Sequence, residues 1–307
     1  GSTPAGMHIS ICVQEILTFL QIKPGMKGLD ATLGYGGHSR KMLEALQGRG
    51  HLYALDVDPI EIVKTTKRLR EAGFSEEIFT PISENFANVD RVAEQYGPFD
   101  FLLADLGVSS MQIDNPERGF SYKQEGPLDL RLNPQNGEPA SERLQKMNRE
   151  EIEGMLIDNS DEPYAAEIAR AIAGRNRKGH KLDTTTKLAE LIGETLAFLP
   201  EKERKEAVKK SCARVFQALR IDVNSEFEVL EAFLTKLPSC MAPGGRIAIL
   251  TFHSGEDRLV KHAFKEGKKA GIYSEVAEDV IRPSSEECAK NPRAKSTKMR
   301  WAVLAEE

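Results

Sequence analysis

The sequence predicts an α/β protein, a doubly wound parallel sheet interrupted by an all-helical insertion. Short apolar strands alternate with helical stretches from Ile11 to Asp105, helical patterns alone follow from about Ser121 to Ala213, and a strand returns at Arg246–Phe252. Alternation of this kind builds parallel sheets, because each crossover lays a helix on a face of the sheet. A chain of 307 residues with 40% hydrophobic content can bury a large core and exceeds the usual single-domain length, which fits a sheet domain plus a second body.

Each element follows from its pattern. Val13, Ile16, Leu17 and Leu20 share a helical face, and Pro24 and Gly25 stop that helix. Gly28–Thr32 is the first strand, running into the turn Leu33-Gly34-Tyr35-Gly36-Gly37, after which Ser39–Leu46 is helical. His51–Asp56, Ile78–Ile82 and Phe101–Asp105 are the next strands, with a helix over Pro59–Arg70. In the insertion, helices are predicted over Glu150–Ile157, Tyr164–Ala173, Leu188–Leu199 and Glu201–Leu219. Pro243-Gly244-Gly245 introduces Arg246–Phe252, and Met299–Leu304 is a candidate last strand.

The composition narrows the function. A formal charge of −5 argues against a protein that coats nucleic acid, so any RNA site must be local. Cys12, Cys212, Cys240 and Cys288 stand far apart without a Cys-x-x-Cys pair, which gives no zinc knuckle, no redox dithiol and no expected metal site. Four such thiols fit a reducing cytoplasm. No apolar stretch has the length of a membrane span, and no signal-peptide pattern stands at the amino end. Gly1–Gly6 reads as a cloning scar or the remnant of a trimmed extension and stays outside the fold argument.

The turn after the first strand, Asp30-Ala31-Thr32-Leu33-Gly34-Tyr35-Gly36-Gly37-His38, offers a close backbone approach and the free N–H groups of a helix start. Asp56, about twenty residues on at a strand end, is placed to accept from ribose hydroxyls. Together they point to a nucleoside cofactor, either NAD or S-adenosylmethionine. Ser39 stands where a dinucleotide fingerprint has Gly or Ala, and Asp30 disfavours a pyrophosphate while favouring a sulfonium or an amino group. The balance moves to S-adenosylmethionine. Phe86, after the third strand, is placed either to stack on adenine or to fill the core.

Asp105 is the leading chemical group, since it opens a segment rich in Ser, Gln, Arg, Gly and Pro at the end of an apolar strand. An exocyclic base amine is a poor nucleophile because its lone pair is delocalised, and a carboxylate can hold it and take its proton. Ser109, Ser110 and His253 are candidate helpers. In His253-Ser254-Gly255-Glu256-Asp257, Ser254 is expected to cap a helix with Asp257 completing a capping box.

These residues resemble the small-subunit ribosomal RNA methyltransferase H family, also called the MraW family, over His8 to Ala302. The resemblance rests on Ala31–Ser39, Ala54–Pro59, Asp105–Arg131, Arg214–Ile221, Phe252–Arg258 and Asn291–Arg293. It implies a Rossmann-like class I methyltransferase fold and S-adenosylmethionine-dependent methylation of cytosine N4 in the decoding region. Gly36, Gly37, His38, Asp56, Phe86, Asp105 and Gln112 match the family's cofactor-contacting positions. The expected domains are 7–120 with 214–307 for the cofactor and 121–213 for the substrate. The substrate partner is small-subunit ribosomal RNA or the assembled small subunit. Phosphate contacts are expected from Arg118, Arg175, Arg177, Lys178, Lys181, Arg293 and Lys295, with Lys298 and Arg300 beside them. Two positions depart from the family: Gly255 replaces a usual Leu, which would loosen that loop, and the tail reads Pro292-Arg293-Ala294-Lys295-Ser296-Thr297 instead of Pro-Arg-Ser-Arg-Ser-Ala. The competing readings are a nicotinamide-dependent oxidoreductase and a noncatalytic RNA-binding assembly factor.

Overall fold

The computed structural model describes residues 9–306, with the side chain of Ser110 also left undescribed. The chain divides into two compact units. Ser110–Glu226 forms one, and the described residues on either side of it form the other.

The flanking unit holds the sheet. In chain order it contains α1 (Val13–Leu20), β1 (Lys27–Asp30), α2 (Gly37–Leu46), β2 (His51–Asp56), α3 (Pro59–Glu71), β3 (Phe79–Ser83), α4 (Val89–Tyr96) and β4 (Phe99–Asp105). The seven strands lie in the order β3-β2-β1-β4-β5-β7-β6, where β5 is Met241–Thr251, β6 is Tyr273–Val276 and β7 is Lys298–Leu304. β1 to β5 pair in parallel, and β7 is antiparallel to both neighbours. The chain winds outward from β1 to β3 and then returns to the other side of β1 at β4. That reversal creates the switch point, with β1 between β2 and β4.

Apolar side chains fill both faces, as burial on two sides requires. Ile16, Leu20, Met42, Leu43 and Phe101 belong to one core, while Val92, Leu102, Phe233, Leu237 and Phe264 belong to the other. The start of β5 departs from expectation: Phe99 pairs with Met241 and Phe101 with Arg246, so Pro243-Gly244-Gly245 forms a bulge inside the strand instead of leading into it.

The Ser110–Glu226 unit contains the helices Ser110–Asp114, Ala140–Lys146, Arg149–Ser160, Ala165–Arg177, Thr185–Thr195 and Glu201–Val223. It extends past the expected 121–213 at both ends. At the carboxyl side the reason is the last helix, which runs unbroken through 214–223 and puts Val215, Phe216, Ala218 and Leu219 into this unit's own core with Ile152, Ile168 and Leu188. Asn224, beyond that helix, donates to the Leu130 carbonyl at 2.8 Å and accepts from the Leu132 N–H at 2.8 Å, locking the helix end to the loop. Residue 7, the expected start of the cofactor domain, and His8 lie outside the described residues.

Candidate active site

Three carboxylates stand at the carboxyl ends of neighbouring strands around the switch: Asp30 closes β1, Asp56 closes β2 and Asp105 closes β4. Ligands of open α/β sheets bind at this edge. The turn between β1 and α2 is fixed from several directions. The Gly34 N–H donates to Asp56 Oδ2 at 3.0 Å, and the Gly34 carbonyl accepts the Thr65 hydroxyl. Gly36 sits at φ 90°, where a Cβ would come within 2.6 Å of Thr65 Cγ2, so only glycine suits the turn. Arg68 donates to the Tyr35 carbonyl at 3.0 Å and to Thr65 Oγ1 at 2.9 Å, its guanidinium 4.0 Å from the centre of the Tyr35 ring. Thr65 and Arg68 escaped the sequence reading because they fall on what reads as the ordinary polar face of a helix.

Asp30 is buried, accepting from the Ser39 hydroxyl at 2.6 Å and the Thr32 N–H at 3.0 Å. Burial pushes its carboxyl up, opposed by the Ser39 hydrogen bond and the nearby His38 ring. Asp56 accepts from Asp58 N–H at 2.9 Å as well as from Gly34. Its carboxyl is pushed up to about 7, first by burial and then by the charges of Glu61 and Asp58, against those two backbone donors.

Asp105 is tied to the same turn. Its N–H donates to Thr32 Oγ1 at 2.6 Å, its Oδ1 accepts from the Gly107 N–H at 3.0 Å, and its Oδ2 lies 3.6 Å from His38 Nδ1. Ser109 donates to the buried Glu61 at 2.6 Å. Phe86 is partly buried and packs edge-on against Phe233, with centroids 4.8 Å apart, so its ring joins the core on at least one side.

The expected cap at His253–Asp257 is displaced by one residue. His253 is the N-cap of the helix Ser254–Lys269, its Nδ1 accepting from the Glu256 N–H at 3.4 Å. Asp257 turns instead to Thr251, at 3.0 Å, and to a bidentate pair with buried Arg300 at 2.8 and 3.0 Å. Gly255 does not loosen the loop. Phe227 fills the space of the missing side chain, and a Cβ at Gly255 would meet its ring at 2.7 Å.

Charge alone misplaced two expected phosphate contacts. Arg300 is buried against Asp257, and Arg118 is buried with its guanidinium on the carbonyls of Arg131 and Leu132 at 3.3 and 3.0 Å. Arg177, Lys178, Arg293 and Lys295 are exposed, while Arg175 and Lys181 are part-exposed and paired with Glu194 and Glu142. Lys298 lies 3.8 Å from Asp257. Gln112 is buried in the Ser110–Glu226 unit. The side chain of Ser110 lies outside what the structure describes.

One group of possible metal ligands escaped the sequence reading. The ligand atoms of Cys12, Glu15 and Glu287 lie within 4.8 Å of one another. The Cys12 N–H donates to Glu287 at 3.0 Å, and burial followed by the two carboxylates pushes its thiol up, so the sulfur keeps its proton.

The turn and the three strand-end carboxylates fit S-adenosylmethionine. At Gly34 the backbone is open, an added Cβ finding only the Thr32 carbonyl within 4 Å, at 3.9 Å. Acids around such an opening suit a cationic sulfonium and an amino group and disfavour a pyrophosphate. Sheet order, turn and acids define a Rossmann-like class I methyltransferase that uses S-adenosylmethionine. The model of the MraW methylase family matches residues 5–304, and the chain belongs to that family. It is 67% identical to ribosomal RNA small subunit methyltransferase H 1 of Lachnoclostridium phytofermentans, covering 99% of this chain and 83% of that protein. The protein of the same name from Agathobacter rectalis is 66% identical, covering 100% and 88%. Ribosomal RNA small subunit methyltransferase H of Thioalkalivibrio sulfidiphilus is 38% identical, covering 97% and 98%.

Proposed function

We propose that this protein methylates N4 of a cytidine in the decoding region of small-subunit ribosomal RNA, on free RNA or on the assembled subunit in the cytoplasm. The observation that carries the reading is Asp105, a carboxylate at the switch-point end of β4, beside the cofactor turn of a chain in the MraW methylase family. Family membership disfavours the nicotinamide reading, and a carboxylate at the end of β4 beside the β1–α2 turn disfavours a noncatalytic factor.

S-adenosylmethionine supplies a methyl group on a cationic sulfur. Gly36, Gly37 and His38, through the backbone N–H groups at the start of α2, and Asp56 are the residues proposed to hold it, with Phe86, Asp105 and Gln112 added by the family resemblance. Asp56 is suited to the ribose hydroxyls, and the start of α2 to a carboxylate. Asp105 orients the substrate amine and accepts its proton. Methyl transfer is direct, and the target base leaves its stack to reach the site. Ser109, on Glu61, supports the loop beyond Asp105, and Ser110 and His253 stand as its further candidate helpers. Nucleoside analysis of ribosomal RNA from a deletion strain is expected to lose N4-methylated cytidine, and an unchanged profile would remove the assignment. Asp105→Asn is expected to fold and to lower turnover by roughly 100-fold or more. Turnover near wild type would exclude the carboxylate from the chemistry.

The cations Arg175, Arg177, Lys178 and Lys181 of the helical unit, with Arg293 and Lys295 of the tail, are proposed to contact phosphates. Replacing the first four with Gln is expected to weaken RNA binding and reduce the log-log salt slope by about 0.7 to 0.9 for each lost contact. Cofactor affinity is expected to stay. An unaltered slope would make this cluster a solvated face.

A further inference from the structure

His38 is held at one ring nitrogen and faces Asp105 with the other. Its Nε2 lies 2.8 Å from the Ile11 carbonyl, which can only accept, so in a neutral ring the proton sits on Nε2. Nδ1 is then a bare lone pair, and it faces Asp105 Oδ2 at 3.6 Å. Two acceptors that face one another repel until a proton comes between them. Oδ1 of Asp105 is already occupied by the Gly107 N–H at 3.0 Å, which makes Oδ2 the oxygen set to receive one.

The other titratable groups around the pair are accounted for. Asp30, from β1, acts on His38 and Asp105 through its charge, and its own oxygens are held by Ser39 and the Thr32 N–H. Cys12, beside Ile11, feels Asp105 but keeps its thiol proton against Glu15 and Glu287. His38 Nδ1 is thus the basic lone pair turned toward Asp105.

We propose that His38 is a positioning residue for Asp105, aiming Oδ2 and taking over the proton that Asp105 receives from the substrate amine. This rests on the N4-methylation reading above. As the amine nitrogen takes the methyl group with its lone pair, the departing thioether keeps the electrons of the broken bond and the nitrogen becomes cationic. The nitrogen gives a proton to Asp105 Oδ2. Asp105 passes it to His38 Nδ1, restoring a carboxylate beside an imidazolium whose Nε2–H stays on Ile11. After product release the proton returns through Oδ2 to water. A separation of 3.6 Å is longer than a hydrogen bond, and catalytic contacts of this kind tighten when substrate binds.

The first test is ¹⁵N NMR of the His38 ring in the full chain, which needs no turnover. The expected result is the Nε2–H tautomer, with an Nδ1 resonance that moves in Asp105→Asn. An Nδ1–H tautomer, or a ring spectrum indifferent to Asp105→Asn, overturns the proposal. The second test is His38→Gln, whose amide can keep a donor on Ile11 but cannot carry the transferred proton. Its kcat is expected to fall about 100-fold or more, while the dissociation constant for S-adenosylhomocysteine stays within about threefold. Equal losses in binding and turnover would make the His38 side chain, beyond its backbone N–H, a cofactor contact and overturn the proposal, and if the variant does not fold the NMR result decides. The underlying reading fails separately, through a deletion strain whose N4-methylated cytidine is unchanged.

Discussion

Two carboxylates of the sheet unit, Asp257 and Asp56, are desolvated in opposite ways. Burial would raise Asp257, but hydrogen bonds from Arg300 and Thr251 and the charges of Arg300 and Lys298 hold its carboxyl below the ordinary range. Asp56 meets two backbone N–H donors and the charges of Asp58 and Glu61, and it rises to about 7. The first carries its own cations and is a structural pair. The second has one backbone donor on each oxygen and no cation beside it among the described residues, the setting in which a raised carboxylate is a site candidate. The difference separates an acid paired within the fold from the one proposed above for the ribose hydroxyls.

The largest effect is expected from breaking the paired site. Arg300→Met would leave Asp257 buried without its bidentate partner and is expected to cost about 3 to 5 kcal/mol in denaturant unfolding. A midpoint equal to wild type would show that the pair contributes nothing. The pH dependence of the intact pair has a defined sign: because folding lowers the Asp257 value, its stabilisation is present above the unfolded carboxylate range and is lost as pH falls through the folded value.

At the poised site the loss should appear in binding. Asp56→Asn is expected to weaken S-adenosylhomocysteine binding by about 1 to 3 kcal/mol, since ribose hydroxyls would lose a charged acceptor. Its folding stability at pH 8 is expected to equal or exceed wild type. The sign follows from a folded value raised from 3.8 to about 7: the contribution of Asp56 is fully present below the unfolded value and is lost as pH rises through the folded one. A variant with unchanged affinity, or one less stable than wild type at pH 8, would break the contrast with Asp257.

The finest distinction is a slope. Ribose hydroxyls favour the ionised carboxylate, so affinity is expected to fall as pH drops below about 7. The fall should approach about tenfold per pH unit and vanish in Asp56→Asn. Titration calorimetry between pH 5.5 and 8, roughly the span over which such a group changes charge, reads both lines. Equal slopes for wild type and variant would assign the titration to another group.

Much of the sheet was legible because its strands carry local signals. β2 runs over His51–Asp56 as predicted, and the apolar run before Asp105 is β4. The helix expected over Pro59–Arg70 is α3, and Asp58 caps it by accepting from the N–H groups of Ile60 and Glu61. α4, the helix Glu226–Cys240 and β6 were not anticipated, since β6 has four residues and the Glu226–Cys240 helix contains Pro238. In the site, Asp30, His38, Asp56 and Asp105 were all singled out, whereas Thr65 and Arg68 were not: helix residues that serve a distant turn leave no local mark.

By itself the sequence determined the order of elements, the glycine turn with its flanking acids, and the membership that six separated motifs imply. These are properties of neighbouring residues, set by backbone sterics, periodicity and capping. Only the tertiary structure decided which charges are buried and with whom. Arg300 and Arg118 read as phosphate ligands until Asp257, 43 residues away, and the carbonyls of Arg131 and Leu132 proved to be their partners. The same holds for the pairing of His38 with Asp105 and for Phe227 in the place left by Gly255. Charge, size and hydrogen-bonding capacity are written in a residue's type, but the desolvation and the partner that give them a role arise when strands remote in sequence are brought side by side.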